Sequence, residues 1–269
     1  MNCIICDGVM AFSFSKTFTV HDLCAVDYWA CPNCGFVLSK THAEMTPGER
    51  EVLTRAYHQS YQGTGSNPDD PRWLERLHSQ ARVLDDATRL GLLNDSAPWL
   101  DYGCGDSKLS ALLGQDCPPL LKYDRHMPLS GYLCDSDLTP GYYGFVITTS
   151  VFEHLTRRKE LDAIHALVSP DGVLGIHTLV CEQVPRDPSW FYLLPVHCAF
   201  FTNHSMALLM AQWGYVASIY NAEARLWLWF KVAGGVRGCI NGANRRCGGP
   251  VYIYRDGFVP YPGKGPRAR

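Results

Sequence analysis

No stretch of the 269 residues approaches the about 18 consecutive apolar residues that a transmembrane helix needs. The first residues also lack the basic start and the long apolar core of a signal peptide. A formal net charge of −2 provides no general attraction to nucleic acid or to an anionic membrane surface. These absences predict a cytoplasmic protein with no membrane partner, and they disfavour nucleic acid as a partner without excluding it.

The phosphate-binding string G-x-x-x-x-G-K-[ST] is also absent, and a different glycine loop stands in residues 99–113. A short apolar strand is predicted there and ends near Asp101. The chain then continues through Gly103 and Gly105 and begins an amphipathic helix. Glycines at both positions let the backbone turn tightly and approach a ligand. The nicotinamide motif G-x-G-x-x-G requires a third glycine, where this chain has Lys108. A plain turn between strand and helix is the alternative to a binding loop.

A second acidic residue follows at the spacing that nucleoside-binding folds use. Asp124 ends the next predicted strand, 23 residues after Asp101, where its carboxylate can accept hydrogen bonds from two ribose hydroxyls. Such a concentration of carboxylates suits a cationic ligand better than a dinucleotide. The acidic residues expected to form this pocket are Asp101, Asp106, Asp124, Asp135 and Asp137.

The motif Asp101-x-Gly103-x-Gly105 resembles, position by position, the acidic-x-Gly-x-Gly loop of class I S-adenosylmethionine (SAM) methyltransferases of the small-molecule type. The resemblance extends over residues 73–232. It implies SAM as cofactor and an α/β fold, a Rossmann-like doubly wound seven-stranded sheet with an antiparallel C-terminal hairpin. The residues that it assigns to cofactor binding are Asp101, Gly103, Cys104, Gly105, Asp124, Asp135 and Ser136.

Later segments follow the order of the same family. Glu153 and His154 stand where many small-molecule methyltransferases have a Glu-His pair at the start of a helix. The other predicted segments are strand three at 132–137, strand four at 144–150, a turn at 169–172, strand five at 173–178, and a hairpin made of 215–220 and 225–231.

Twelve cysteines in a chain without a secretion pattern favour metal binding and free thiols over a disulfide framework. Four of them form two C-x-x-C pairs, which can supply the four thiolates of a tetrahedral structural zinc. The pairs predict a zinc ribbon of three short strands. Cysteines that merely share a core, or a redox C-x-x-C, are the alternatives. The predicted zinc ligands are Cys3, Cys6, Cys31 and Cys34.

Helices are predicted between the ribbon and the glycine loop. Thr46 and Glu49 have the spacing of a capping box at a helix start. Asp70 and Pro71 predict the N-cap and first residue of a second helix, after a flexible joint at 63–68. In this family, helices at this position often cover the cofactor, and a plain connector is the alternative.

The acceptor of the methyl group is expected near an aromatic insertion at 181–203, because loops at the carboxyl ends of strands form the binding crevice of such sheets. Histidine is the usual base near neutral pH, so His197 is the first candidate for proton removal and His154 the second, with Glu153 orienting the base. A hydrophobic lid packed on the core, and a helix-start hydrogen bond for His154, are the structural alternatives. His177 is expected to be a core residue.

The last part of the chain is rich in glycine and arginine. Segments 251–254 and 258–261 predict a hairpin, and the whole part is expected to be a solvated extension, with phosphate or base binding as the alternative. Cys239 and Cys247 lack metal partners at a usual spacing. The predicted parts of the chain are a zinc-ribbon domain at 1–44, a helical linker or cap at 45–95, the SAM-binding domain at 96–233 and the extension at 234–269.

The preferred hypothesis is a SAM-dependent methyltransferase acting on a small molecule, with a sugar or glycan-related precursor as one candidate. A ribbon ahead of the domain resembles the layout of sugar C-methyltransferases, but the second αβ unit of that group is missing here. One alternative is an RNA or protein methyltransferase that docks through the ribbon and the basic tail. Another is a non-catalytic zinc-binding interaction protein on the same fold.

Overall fold

The computed structural model describes residues 1–20, 23–59, 70–127, 129–246 and 251–262. Within these ranges no helix is long and apolar enough to cross a membrane. The strands are β1 (Ala11–Phe18), β2 (Cys24–Ala30), β3 (Val37–Ser39), β4 (Trp99–Tyr102), β5 (Leu120–Tyr123), β6 (Tyr143–Thr149), β7 (Val168–His177), β8 (Val180–Cys181), β9 (Ala199–Thr202), β10 (Ala217–Asn221), β11 (Leu226–Phe230) and β12 (Tyr252–Asp256). The helices are α1 (Lys40–Glu44), α2 (Pro47–Gln59), α3 (Trp73–Arg89), α4 (Lys108–Leu112), α5 (Arg158–Leu167), α6 (Asn203–Gln212) and α7 (Val236–Arg246).

The larger sheet has seven strands in the order β12-β10-β11-β7-β6-β4-β5. Strands β4 to β7 are parallel to one another, and β10, β11 and β12 are antiparallel to their neighbours. The predicted α/β class, the number of seven strands in the sheet and the antiparallel hairpin of β10 and β11 are confirmed. Because parallel strands end at one edge, the loops after β4, β5 and β6 lie together there.

Helices cover both faces of this sheet. Phe145 and Ile147 of β6 pack among residues of α3 and α7, while Val146 between them packs among residues of α5 and α6. Successive side chains of a strand point to opposite faces, so a strand buried on both sides appears in the sequence as a continuous apolar run. This explains why β6 was predictable from composition alone.

Strand three is wrong as predicted. Residues 132–137 make only an isolated bridge from Leu133 to Tyr123, followed by a 3-10 turn at Asp135–Asp137. The Asp137 carboxylate accepts the backbone N–H of Cys134 at 2.8 Å. Such local hydrogen bonds give the backbone an alternative to a strand ladder. The seventh strand is instead β12, from the C-terminal part of the chain.

Two boundaries near the sheet edge also differ from prediction. The Glu-His pair lies in a 3-10 turn at Phe152–His154. Helix α5 begins only at Arg158, because the Glu160 carboxylate caps it by accepting the backbone N–H groups of Thr156 and Arg157. The segment 169–172, predicted as a turn, belongs to β7.

The smaller sheet has the order β1-β2-β3-β9-β8. The three N-terminal strands that the ribbon prediction requires are present, and the insertion adds two more. Strand β3 pairs with β9 through Val37 with Phe200 and Leu38 with Ala199. The cysteine-bearing N-terminus and the insertion at 181–203 therefore share one sheet.

Two helix starts can be compared with their predictions. The capping box before α2 is confirmed, since the Glu49 carboxylate accepts the backbone N–H of Thr46 while the Thr46 hydroxyl accepts that of Glu49. Helix α3 begins at Trp73 rather than at Pro71, and its first N–H is received by the Asp70 carbonyl. The predicted joint at 63–68 lies outside the described residues.

The C-terminal part is not a solvated extension in the described ranges. Strand β12 adds to the edge of β10, and α7 buries its apolar face on the same side as α3. Phe258 and Val259 are buried as irregular chain, with the Phe258 ring stacked on Trp227 at 5.9 Å, so the predicted hairpin partner at 258–261 is wrong. The unpaired backbone groups along the edge of β10 favour the addition of β12, and burial of the apolar side chains in this part of the chain stabilises it further. Cys247 lies outside the described residues.

Candidate active site

The glycine loop lies between β4 and α4, as predicted, and depends on glycine at its first position. Gly103 has a φ of +76°, and a Cβ there would lie 2.5 Å from Cγ2 of Val151. The backbone N–H groups of Gly103 and Cys104 both donate to the carbonyl of Tyr123, at 2.7 and 3.1 Å. The loop is therefore fastened to the end of β5 on one side and packed against the 151–154 turn on the other.

Asp124 lies under this loop, at the end of β5. One carboxylate oxygen accepts the backbone N–H of Gly105 at 2.8 Å. The other accepts the backbone N–H groups of His126 and Met127 at 2.8 and 2.9 Å. These bonds hold the Asp124 carboxylate beside the glycine loop, at the position for which ribose binding is predicted.

Asp101 is the most unusual group of the loop region. Its side chain is 1% exposed, and its Oδ1 has no hydrogen-bond partner. Burial, followed by the nearby charge of Asp124, raises the pKa of Asp101 to about 7. An orphaned buried acceptor next to a second carboxylate is the environment that a positively charged ligand group satisfies.

The remaining predicted cofactor residues border the same loop. The Tyr123 hydroxyl donates to Asp135 at 2.7 Å, and the Ser136 hydroxyl lies 3.0 Å from the Cys134 thiol. Both Asp135 and Ser136 are exposed on their 3-10 turn, where they are open to a ligand. Burial raises the pKa of the Cys104 thiol well above its ordinary value, so this cysteine is neutral.

The structure also brings together the three predicted catalytic residues. Ligand atoms of Glu153, His154 and His197 all lie within 4.8 Å of one another. The ring centroids of the two histidines are 5.0 Å apart. Because Val151 of the same turn contacts Gly103, these three residues, which form the acceptor-side cluster by their predicted role, are joined directly to the glycine loop.

Hydrogen bonds fix the orientation of each member of the acceptor-side cluster. His154 Nδ1 donates to the Val196 carbonyl at 3.0 Å, and His197 Nδ1 donates to the Tyr192 carbonyl at 2.9 Å. The two Glu153 carboxylate oxygens accept from the hydroxyls of Tyr192 at 2.7 Å and Thr178 at 3.0 Å. With Nδ1 used as a donor, Nε2 of either ring is left as the lone-pair nitrogen.

Burial, reinforced for His154 by the neighbouring His197 ring, lowers the pKa of His154 to about 4. Burial likewise lowers the pKa of His197 to about 4, against a hydrogen bond to Tyr192 that acts to raise it. Both imidazoles are therefore neutral near neutral pH, which is the form that accepts a proton or binds a metal.

The N-terminal sheet positions the segment that carries His197. The Ser39 N–H donates to the Cys198 carbonyl at 2.7 Å, and the Cys198 N–H donates to the Glu153 carbonyl at 2.8 Å. His42 adds a bond from its ring to the Pro195 carbonyl at 2.8 Å. No motif in the sequence predicts this role of His42.

Tyr192 and Thr178 were missed as well, although both orient Glu153. The tyrosine was visible only as one of several aromatic residues in the insertion. His177 is buried in β7 and donates to the Arg225 carbonyl at 2.9 Å, as expected of a core residue.

The four N-terminal cysteines lie together. One Sγ from each is within 4.8 Å of the others, with Cys3 and Cys34 at 3.6 Å and Cys6 and Cys31 at 3.4 Å. Four sulfurs about 2.3 Å from a zinc ion in a tetrahedron would be about 3.8 Å apart. The donor set and its spacing therefore fit a closed zinc site. No described cluster of this kind includes Cys239.

The cysteine cluster is attached to the helices of the main sheet. The carbonyl of Ile5 accepts from the Gln212 side chain at 2.7 Å, and the carbonyl of Cys34 accepts from the Thr202 hydroxyl at 2.6 Å. Cys3, Cys31 and Cys34 belong to the same buried core as α5 and α6. The cluster thus supports the strand β9 that follows His197.

Comparisons with known proteins identify the family of this chain. Residues 40–217 match the family described as methyltransferase domain. No curated protein has a sequence that matches. Among solved structures, a possible exported protein from Bordetella parapertussis is 15% identical, with 71% of this chain and 84% of that chain covered and a TM-score of 0.42. The mitomycin 7-O-methyltransferase MmcR is 14% identical, with 70% and 69% covered and a TM-score of 0.36. Because the family match spans well over half of the sequence, the chain belongs to the methyltransferase domain family.

Proposed function

We propose that this protein is a SAM-dependent methyltransferase that acts on a small-molecule acceptor. When bound, SAM supplies a methyl group activated by its sulfonium charge. The observation that carries the proposal is the buried, unpartnered Oδ1 of Asp101 beside Asp124, under a glycine loop that a Cβ would obstruct. A cationic ligand satisfies these carboxylates, whereas the phosphates of a dinucleotide would be repelled by them.

The donor-side roles follow from the positions of the residues. The negative charge of Asp101, with that of Asp124 close by, favours the positive groups of SAM. Asp124 lies where its carboxylate can also accept bonds from ribose hydroxyls, and the exposed Asp135 and Ser136 are available to the adenine. Gly103 and Gly105 allow the backbone to come close to the ligand.

We assign the acceptor to the acceptor-side cluster. The lone-pair Nε2 of His197 is the first candidate to take the proton of a hydroxyl, with His154 as the second and Glu153 as the orienting carboxylate. Tyr192 orients both Glu153 and His197, through its hydroxyl and its carbonyl. The remaining task of the protein is to hold acceptor and methyl group in line.

We also propose that zinc occupies the four-cysteine cluster as a structural ion. The eleven described cysteines form no disulfide bond, which is typical of a reducing compartment such as the cytoplasm. Zinc would then hold the N-terminal sheet, and through β3 and β9 it would stabilise the segment of His197.

The test uses calorimetry and labelled methyl transfer. Metal-replete protein is titrated with SAM and with its demethylated product, and is then incubated with methyl-labelled SAM and fractions of a cell extract. We expect micromolar donor binding and label in the small-molecule fraction. Absence of binding at millimolar donor would overturn the proposal, and label confined to RNA or protein would overturn the small-molecule part of it.

A further inference from the structure

We propose that the acceptor-side cluster binds a divalent transition-metal ion through Glu153, His154 and His197. The three side chains would hold the ion and leave other coordination positions open. A hydroxyl oxygen of the acceptor could bind the ion at one of these open positions. This inference rests on the proposed function only in placing the acceptor at this cluster. It changes the role of His197 from proton acceptor to metal ligand.

The donor set is the first argument. Two imidazoles and one carboxylate, each able to offer one atom within 4.8 Å of the others, can bind one face of an ion such as Mn²⁺, Fe²⁺, Co²⁺ or Zn²⁺. Glu153 and His197 are buried, at 1% and 8% exposure, so the group is not a chance collection of surface side chains.

The outer hydrogen bonds are the second argument. A metal-binding histidine usually donates its other ring N–H to a carbonyl or carboxylate, which fixes the ring and leaves the lone pair toward the ion. Both His154 and His197 have this arrangement, with Nδ1 donating to main-chain carbonyls. Ligating carboxylates are also hydrogen-bonded, as Glu153 is by the hydroxyls of Tyr192 and Thr178.

The third argument is position. The turn that carries Glu153 and His154 packs through Val151 against Gly103 of the donor loop. Three protein ligands leave coordination sites for water or substrate, unlike the closed four-cysteine cluster. A hydroxyl bound to such an ion would release its proton to solvent water more easily, because the ion stabilises the negative charge on the oxygen, and that oxygen would lie beside the donor site.

Manganese is the suitable probe, because thiolates select zinc and Mn²⁺ prefers oxygen and nitrogen ligands, so the cysteine cluster stays occupied by zinc. Binding is followed by loss of the electron paramagnetic resonance signal of free Mn²⁺, in protein that contains one zinc ion per chain, as the four-cysteine cluster requires, and no SAM. We expect one Mn²⁺ per chain with micromolar affinity. Binding at least tenfold weaker is expected in Glu153→Gln and in His197→Ala, and unchanged binding in His204→Ala, which removes an exposed histidine.

Tyr192→Phe keeps all three ligands and removes one bond to Glu153, so affinity should fall by about tenfold. Zinc content and circular dichroism verify that each variant is folded. The proposal is overturned if wild type binds no Mn²⁺ below millimolar concentration, or if the Glu153 and His197 variants bind it as wild type does. Since SAM is absent from the assay, these results are independent of whether the protein transfers methyl groups.

Discussion

The proposed donor side and the proposed acceptor side of the site are built in different ways. The donor side uses one strand–loop–helix unit and the adjacent strand, with its carboxylates held by backbone N–H groups of the same loops. The acceptor side combines a 3-10 turn after β6 with an insertion that is held by the N-terminal sheet. Damage to the N-terminal sheet should therefore impair methyl transfer far more than donor binding.

A change in the four-cysteine cluster should have the largest effect on methyl transfer relative to donor binding. In Cys31→Ser we expect loss of zinc and a fall in Tm on the order of 10 °C, because metal binding contributes directly to folding. Methyl transfer should fall by at least about 100-fold, with SAM affinity within about tenfold of wild type. Metal analysis, calorimetry and turnover are the measurements.

The matched control is Cys24→Ser, which changes an exposed thiol outside the cluster and should retain zinc and activity. If Cys31→Ser loses donor affinity and turnover in equal proportion, the two sides are not built independently.

His197→Ala should affect the acceptor side alone. Loss of the group that acts on the acceptor proton, whether directly or through a metal, should lower kcat by about 10²–10⁴-fold. The Kd of SAM should change by less than about threefold, since no hydrogen bond joins His197 to the donor loop within the described residues. Turnover equal to that of wild type would place the catalytic group elsewhere.

Asp124→Asn should affect the donor side alone. The amide keeps the shape of the carboxylate but loses its charge and one acceptor position, so SAM should bind about 10–100-fold more weakly. At saturating SAM, kcat should be nearly unchanged. Asp95→Asn, at an exposed position ahead of β4, is the control. Equal SAM affinity in wild type and Asp124→Asn would refute the ribose assignment.

Protonation of Asp101 should give the smallest effect. With a pKa of about 7 the free side chain is mostly protonated at about pH 6, and a bound positive charge lowers that pKa, so binding should release up to about one proton. At about pH 8.5 the carboxyl is already ionised, and release should be near zero. Calorimetry in two buffers of different ionisation enthalpy measures the difference. Asp101→Asn should abolish it, and a release that persists at high pH would assign the proton to another group.

Local patterns were sufficient for several parts of the molecule. The two C-x-x-C pairs predicted the gathering of four cysteines, because tight turns bring each pair together. The continuous apolar run of β6 and the antiparallel hairpin of β10 and β11 were also predicted, since burial on both faces and a short connection leave clear patterns. Glu153, His154 and His197 were predicted as catalytic candidates, with Glu153 orienting the base, but no pattern predicted that all three would lie together.

Other parts could not be predicted locally. The segment 132–137 has the composition of a strand, yet hydrogen bonds around Asp137 turn it. The C-terminal glycines and arginines suggested a solvated tail. Instead, Tyr252 is buried in the edge strand β12, and Phe258 is buried against Trp227 of the interior strand β11. His42 holds the segment of His197 through a hydrogen bond from its ring to the carbonyl of Pro195, which is 153 residues away in the chain.

Three features were predictable from short-range patterns in the chain: the glycine loop with its two carboxylates, the four-cysteine cluster and the alternation of parallel strands with helices. Short-range spacing and burial specify these features. Only the tertiary structure decided that the insertion would join the N-terminal sheet, and that its His197 would meet Glu153 and His154. Strand pairing between β3 and β9 and the packing of a shared core make those contacts, and neither leaves a periodic signal in the chain.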